Sequence, residues 1–318
     1  MTTKLERTPF YCQLWKVNPE WYNSAALIWG AVVDEAIQEF LRYLKDECGR
    51  RENTLLAYKS DLDQLLAIWK QTATQSEPNT ISVEIIERYV EWLLAQGYKA
   101  STIARKCIAV RSFIEFWKID GILPLTYIDN LIRDIQKTKQ PPKVLSREQI
   151  EDLLAAPTKL QTPIGLRDTA ILSLMYKTGL RATDVIQLTL EDVDLILHRI
   201  RIKSIGMNPL PLGEVTEKII HYLMEGRPHL ARIPEERSLF INQRGKGLTR
   251  QGLWFIVRRW ADEAELGDWI SPNIIRHSLI RHLMDSGLSN KEILHRLGLK
   301  SPNSLRAFTR SLGKVSDK

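Results

Sequence analysis

Three basic side chains in the second half of the sequence are of the types that phosphate chemistry needs. Arg181 follows a Gly-Leu pair where a helical pattern stops, Lys203 ends an alternating segment, and Arg276 precedes His277. A guanidinium binds two phosphate oxygens in fixed geometry, and a lysine or histidine can protonate a leaving oxygen. Each cation taken alone is more often an ordinary surface charge, and His277 a packed, hydrogen-bonded histidine. Together with a nucleophile, such cations suit phosphodiester cleavage without metal or ATP.

Other kinds of chemistry find little support in the sequence. There is no Walker loop for ATP, and Glu191, Asp192 and Asp194 lie in one short stretch that is typical of a solvated turn. The three cysteines lie far apart and share no metal-ligand spacing with the six histidines, which is typical of reduced thiols. We therefore expect neither a metal nor a cofactor.

The distribution of positive charge indicates a nucleic-acid partner. The formal net charge is +7, and five windows hold several basic residues and no aspartate or glutamate: 92–114, 135–147, 195–213, 237–261 and 293–316. One such window is usually a solvated face. Five windows, spread over both halves, predict a surface that follows phosphates and releases counterions. The chain is therefore predicted to bind double-stranded DNA.

Seven residues in these windows are candidate DNA contacts, and four of them fall on the polar face of a predicted helix over residues 101–117. The candidates are Lys99, Thr102, Arg105, Lys106, Arg111, Lys139 and Arg250. Arg250 stands at an acid-free loop-helix start, a common place for phosphate contacts. Trp254, Phe255 and Trp260 in the helix that it opens are predicted to be core aromatics.

Hydrophobic periodicity divides the chain into two mainly helical domains. The predicted parts are an N-terminal extension of unknown role (1–30), an all-helical bundle (31–120), a basic, proline-marked linker (121–145) and a second domain (146–318). The second domain is expected to be mostly α with a small antiparallel sheet, because residues 198–203 alternate as a strand does. Ser146 and Gln149 supply a capping box for its first helix.

Several ordered segments resemble the tyrosine recombinase, or phage integrase, family, and its Xer-type members in particular. The likeness spans about residues 34–310. The segments that carry it are ENTLLAYKSDLDQLL, ASTIARKCIAVRSFIEFW, VLSREQIEDLL, TGLRATDVIQLTLEDVD, LFINQRGKGLTRQGLWFIVRRW, SPNIIRHSLIRHLMDSG and LHRLGLKSPNSLRAFTR. The resemblance implies a helical core-binding (SAM-like) bundle and a mixed α/β catalytic domain with a small antiparallel sheet, which close on a duplex as a C-shaped clamp.

The resemblance also implies roles for six positions. Arg181 and Arg276 correspond to the two catalytic arginines and Lys203 to the lysine of the β-hairpin. Asn273 stands where the family's His-x-x-Arg pattern begins with histidine, and an amide is neither an acid nor a base.

The two remaining family positions are also altered. Leu299 replaces a histidine or tryptophan, and Phe308 replaces the nucleophilic tyrosine. Phenylalanine has no hydroxyl, so no covalent intermediate forms there.

Three functions follow from these residues. The first is a DNA-binding clamp that does not cleave, acting as an architectural or regulatory factor or as the silent partner of an active relative. The second is an active site-specific recombinase in which Phe308 is an engineered change. The third is a transcription regulator, because residues 286–299 have the pattern of a helix-turn-helix.

The partner expectations follow from the same reading. They are duplex DNA, an active tyrosine recombinase or a second copy of the chain, and no membrane. The expected location is the cytoplasm, at the nucleoid. No apolar run approaches the roughly 20 residues of a membrane span.

Overall fold

The computed structural model describes residues 22–72, 81–117, 124–137, 142–203, 209–298 and 305. The chain forms two compact units, Met1–Gln140 and Pro141–Lys318. Among the described residues, no helix combines the length and apolar character that crossing a membrane requires.

In the first unit, the described residues form a bundle of five helices. They are α1 (Tyr22–Asp46), α2 (Glu52–Thr72), α3 (Val83–Ala95), α4 (Ala100–Trp117) and α5 (Leu125–Lys137). Each apolar stripe turns inward, and the core is built around large side chains such as Phe40, Leu62, Tyr89 and Phe113. The bundle predicted from helical periodicity is therefore present.

Helix α5 differs from the predicted linker. Residues 121–145 were expected to connect the domains, but Leu125–Lys137 is helical and packs on α4. Its side chains Ile128 and Ile132 are buried in the bundle core. Their i, i+4 spacing is a helical signal, which the neighbouring proline-marked basic stretch masked in the sequence.

The second unit is mostly helical around a small sheet. Its helices are α6 (Arg147–Ala155), α7 (Pro163–Thr178), α8 (Ala182–Ile186), α9 (Val215–His221), α10 (Arg227–Leu230), α11 (Arg250–Glu263), α12 (Pro272–Asp285) and α13 (Asn290–Arg296). The strands are β1 (Val193–Asp194), β2 (Arg199–Ile200) and β3 (Leu210–Pro211). The sheet is antiparallel in the order β1-β2-β3, with Ile200 opposite Val193 and Leu210.

Local sequence signals explain where the helices of this unit begin and end. Ser146 and Gln149 form the predicted capping box of α6. Gly179 ends α7 in a left-handed conformation with φ 62°, which favours glycine. Arg181 then occupies the N-cap of α8, as expected from its place after the helix stop.

The core of the second unit includes one of the three aromatics predicted in α11. Trp260 is buried and donates to the Asp168 carboxylate at 2.8 Å. The prediction is wrong for Trp254 and Phe255, which are both exposed. The side of α11 that packs inward carries Leu253, Ile256 and Val257 instead, so residues 254 and 255 face outward.

Candidate active site

Two arginines from different elements act on each other in the second unit. Arg181 is exposed at the N-cap of α8, while Arg276 is half-buried in α12. Burial, followed by the positive charge of Arg181, lowers the pKa of Arg276 to about 10. The Arg276 guanidinium therefore remains charged near neutral pH, and its interaction with Arg181 is repulsive. We call these two residues the arginine pair.

The turn between α7 and α8 holds the arginine pair in place. The guanidinium of Arg276 donates a hydrogen bond to the Gly179 carbonyl. The Arg181 amide donates to the Asp184 carboxylate at 3.2 Å. Asp184 also opposes the pKa shift of Arg276 by its negative charge. One short segment of chain thus anchors the Arg276 guanidinium and the Arg181 backbone.

The Gly179 turn fits closely against neighbouring leucines. A Cβ at Gly179 would lie 3.0 Å from Leu297 and 3.1 Å from Leu279. The left-handed backbone and this close approach both favour glycine. The fit positions the carbonyl that accepts from Arg276.

A network of hydrogen bonds fixes α12, which carries Arg276, to the start of the second unit. The Leu145 amide donates to Ser278 at 2.8 Å, and the Leu145 carbonyl lies 3.0 Å from His282 Nε2. His282 Nδ1 is 2.9 Å from the Tyr176 hydroxyl in α7. Arg147 donates to the His282 carbonyl at 3.2 Å. Sequence reasoning missed these positioning residues, although His282 follows Arg276 in the same motif.

Of the other predicted catalytic positions, the structure describes Lys203 and Asn273 but not Leu299 and Phe308. Lys203 is exposed after β2, in the connection to β3. Asn273 is exposed in the first turn of α12, three residues before Arg276 and hence on the same side of the helix. Leu299 and Phe308 lie outside the described residues. His277 is half-buried.

The candidate DNA contacts of α4 are tied into the bundle. Lys106 was predicted on the exposed polar face, but it is buried and bonds Asp61 at 2.8 Å and Gln64 at 2.7 Å. Arg105 is exposed and donates to both carboxylate oxygens of the same buried Asp61. The Tyr89 hydroxyl donates to the Asp61 carbonyl at 3.0 Å. We call these five residues the Asp61 cluster.

A sequence signal for the Asp61 cluster exists and was overlooked. Asp61 falls on the apolar stripe of α2, three residues after Tyr58 and four before Leu65. Lys106 likewise falls between Ile103 and Val110 on the apolar stripe of α4. Buried charges are almost always paired, so two opposite charges on facing stripes predict a buried ion pair.

The remaining candidate DNA contacts differ in exposure. Arg111 is half-buried and pairs with Asp129 of α5 at 2.5 Å and Glu115 at 2.7 Å. Lys99 is exposed just before α4, and Thr102 is half-buried in its first turn.

Two further candidates lie outside the bundle. Arg250 is exposed as the first residue of α11, after the Thr249 N-cap whose side chain accepts from Gly252. Lys139 is outside the described residues. Within the described ranges, no group of three or more His, Cys, Asp and Glu side chains has a geometry that would hold a metal ion.

Comparison with known proteins gives two family matches. Residues 143–314 match the phage integrase family, and residues 37–120 match the phage integrase N-terminal SAM-like domain. The XerC tyrosine recombinase of Herpetosiphon aurantiacus is 33% identical over 281 residues, which cover 87% of this chain and 90% of that protein. The XerD tyrosine recombinase of Listeria monocytogenes is 33% identical over 287 residues, covering 87% and 94%.

Solved structures share the fold at low sequence identity. The XerH site-specific recombinase bound to a palindromic difH substrate is 20% identical, with a TM-score of 0.66 and coverage of 87% of this chain and 91% of that one. The lambda integrase dimer bound to a COC′ core site is 17% identical, with a TM-score of 0.62 and coverage of 90% and 98%. These likenesses confirm the fold class predicted from the sequence.

Proposed function

The chain belongs to the phage integrase family of tyrosine recombinases, and we propose that it binds duplex DNA through the family's phosphate pocket without cutting it. Phosphate recognition is assigned to the arginine pair, Arg181 and Arg276. We assign no residue to strand cleavage, because Phe308 stands where the family has its nucleophile. Function would then lie in shaping DNA or in assembling with an active relative.

The arginine pair is the observation that carries the proposal. Two guanidiniums that repel each other cost stability unless an anion comes between them. A phosphodiester supplies one negative charge and two free oxygens, which suit the planar donors of arginine. Lys203, exposed on the β2–β3 connection, adds a third donor if that connection reaches the phosphate.

The tyrosines of the second unit offer no replacement for the missing nucleophile. That half of the sequence contains Tyr176 and Tyr222 alone. Tyr222 is fully buried, and its hydroxyl accepts from the Ile241 amide at 3.3 Å. The Tyr176 hydroxyl is engaged with His282. Burial also raises the pKa of both phenols, which makes their phenolate forms scarcer still.

Asn273 and Leu299 support the same reading. The Asn273 amide can donate a hydrogen bond to a phosphate oxygen but cannot transfer a proton. Leu299 can do neither. A single engineered change at Phe308 would leave these two departures unexplained, so we favour loss of cleavage over an active enzyme with one altered residue.

A duplex with a nick close to the scissile phosphate tests the proposal. Such a substrate traps any covalent protein–DNA adduct, because the short fragment beyond the nick diffuses away after cleavage. The wild-type protein is expected to form no adduct but to bind duplexes selected from a randomised pool, with affinity that falls steeply as salt rises. A wild-type adduct would overturn the loss of cleavage, and no salt-sensitive affinity for any duplex would overturn the whole proposal.

Variants at the altered positions show how much of the chemistry survives. Phe308→Tyr restores a hydroxyl that can attack the phosphorus while the bond to the 5′ oxygen breaks and that oxygen takes up a proton. An adduct from Phe308→Tyr alone would show an intact pocket. An adduct only from Phe308→Tyr combined with Asn273→His would show that proton transfer or charge stabilisation has been lost as well. Footprints on all sides of the duplex favour a clamp, whereas protection of one side favours the helix-turn-helix hypothesis.

A further inference from the structure

Two aromatic side chains are exposed on the outer side of α11. Trp254 is 42% and Phe255 is 56% exposed, while Leu253, Ile256 and Val257 on the inner side are buried. Exposed aromatic pairs are uncommon, because leaving them in water forfeits the stability that burial gives. A binding role accounts for such a pair when its surroundings match a partner.

The surroundings of this pair are arranged in two parallel rows. Residues four apart lie above one another on a helix, which gives the row Arg250, Trp254 and Arg258 and the row Gln251, Phe255 and Arg259. Each row thus runs from a polar first turn through an aromatic to an arginine and ends at an acid, Asp262 or Glu263. Arg258 pairs with Asp262 at 3.4 Å. The sequence from 237 to 261 contains six basic and no acidic residues. The excess of positive charge at the start of α11 and in the segment before it therefore favours a polyanion as the partner of this surface.

The two aromatics are not equivalent. The Trp254 ring lies 5.8 Å from the Arg258 guanidinium, which also donates to the Gly267 carbonyl at 3.4 Å. The Phe255 ring meets Trp254 edge to face, with ring centroids 5.2 Å apart. Trp254 is therefore held by its neighbours and braces Phe255, whose outer side is left for a partner.

From this arrangement we propose that Phe255 is a specificity-determining residue that packs on the 5-methyl group of thymine in the DNA major groove. That methyl is the apolar group that the bases display there, and phenylalanine is one of the side chains that contact it. A helix that enters the groove contacts base edges through its N-terminal residues. Arg250 and Gln251 are those residues in α11. The inference rests on the proposed DNA binding.

Selection from a randomised duplex pool supplies the test. Wild-type protein, Phe255→Ala and the control Met224→Ala are each used to enrich binding sites. Met224 is 70% exposed on a different helical segment, so its variant removes an exposed apolar side chain of similar size. We expect wild type and Met224→Ala to enrich the same site, and Phe255→Ala to lose one thymine preference within it.

Deoxyuridine substitution then isolates the methyl group. Replacing that thymine by deoxyuridine, which lacks only the methyl, should weaken wild-type binding about fourfold, the value of one buried methyl or methylene group. Phe255→Ala should bind both duplexes equally. Thermal melting of the variants checks that the exposed substitution leaves the fold intact.

Three results would overturn the inference without touching the proposed function. Wild type could bind duplexes and show no thymine-methyl effect, or Phe255→Ala could keep the full preference. A third result would be that the wild-type protein self-associates in sedimentation experiments and Phe255→Ala does not, while DNA recognition is unchanged. The aromatic pair would then be a protein–protein interface. If wild type binds no duplex at all, the proposed function fails as well.

Discussion

Arginines in the two units are used in opposite ways. In the Asp61 cluster, Arg105 and Lys106 converge on one buried carboxylate, which is the counter-charge that they share. In the arginine pair, burial and then the positive charge of Arg181 lower the pKa of Arg276, against the attraction of Asp184. The first arrangement stabilises a fold, and the second is proposed to bind an anion. A basic residue can therefore be assigned to a phosphate site only after any carboxylate that already pairs with it has been identified.

The largest expected effect is a loss of stability on substitution of Asp61. Asp61→Ala leaves the Lys106 ammonium buried without its carboxylate, and removing one partner of a buried ion pair typically costs about 3–5 kcal/mol. Urea denaturation of the full chain should show this loss in the transition of the first unit. Asp63→Ala is the matched control, because the side chains of its pair with Lys59 are 44% and 41% exposed and solvent-accessible pairs are worth about 0–1 kcal/mol. Equal losses in the two variants would contradict a structural role for the cluster.

The arginine pair can be disturbed through its backbone at Gly179. Gly179→Ala places a methyl group against Leu297 and Leu279 in a left-handed conformation, which should cost about 1–3 kcal/mol. It should also weaken duplex binding, because the carbonyl that orients Arg276 moves.

Gly287→Ala is the control for backbone strain alone. Its φ is 81°, and nothing lies within 4 Å of the added methyl. Measured unfolding free energies should therefore fall less for Gly287→Ala than for Gly179→Ala, and duplex affinity should fall only for Gly179→Ala. A similar effect of both changes on affinity would show that the turn does not orient the arginine.

The sequence predicts the helical bundle, the small sheet and the arginine positions, because each depends on a local pattern or an ordered motif. Periodicity finds α2 and α4, and the glycine stop predicts where α8 begins. Motif order and spacing assign the two catalytic positions to Arg181 and Arg276, although 94 residues of chain separate them, and this assignment stays a prediction. The family assignment is confirmed for the same reason.

What the sequence does not predict are contacts between elements whose partners lie far apart in the chain. Asp61 meets Lys106 across 45 positions, and no periodicity specifies which helix faces which. The prediction that Trp254 and Phe255 lie in the core failed because residues 253–257 are all apolar, so the pattern does not show which side of α11 faces inward. Helix α5 was missed because a proline-marked basic stretch outweighed a short apolar stripe.

The salt dependence of DNA binding distinguishes Arg276, a proposed phosphate contact, from Arg105, which pairs with Asp61. Replacing Arg276 by glutamine removes a proposed phosphate contact, which should weaken duplex binding about tenfold and reduce the slope of log affinity against log salt by about 0.9. Arg105→Gln should reduce the slope less, because the Arg105 guanidinium already bonds both carboxylate oxygens of Asp61. Fluorescence anisotropy titrations at several salt concentrations measure both quantities. If the slope falls for Arg105→Gln and not for Arg276→Gln, the assignments of the two clusters must be exchanged.

The smallest expected effect concerns His282, which is kept neutral inside the network that fixes α12. Burial lowers the pKa of His282 below its ordinary value, and the charge of Arg147 acts in the same direction. The unfolded chain therefore binds the proton more readily than the folded chain does. The resulting stability is fully present above the unfolded pKa, about 6.5, and is lost as the pH falls from there towards the folded pKa.

Thermal melting at pH 7.5 and pH 5.5 should thus show a loss on acidification that His282→Asn reduces. His229→Asn, at an exposed position in α10, is the matched control and should retain the full pH dependence. Equal pH dependence in wild type and His282→Asn would show that His282 does not resist protonation in the folded state.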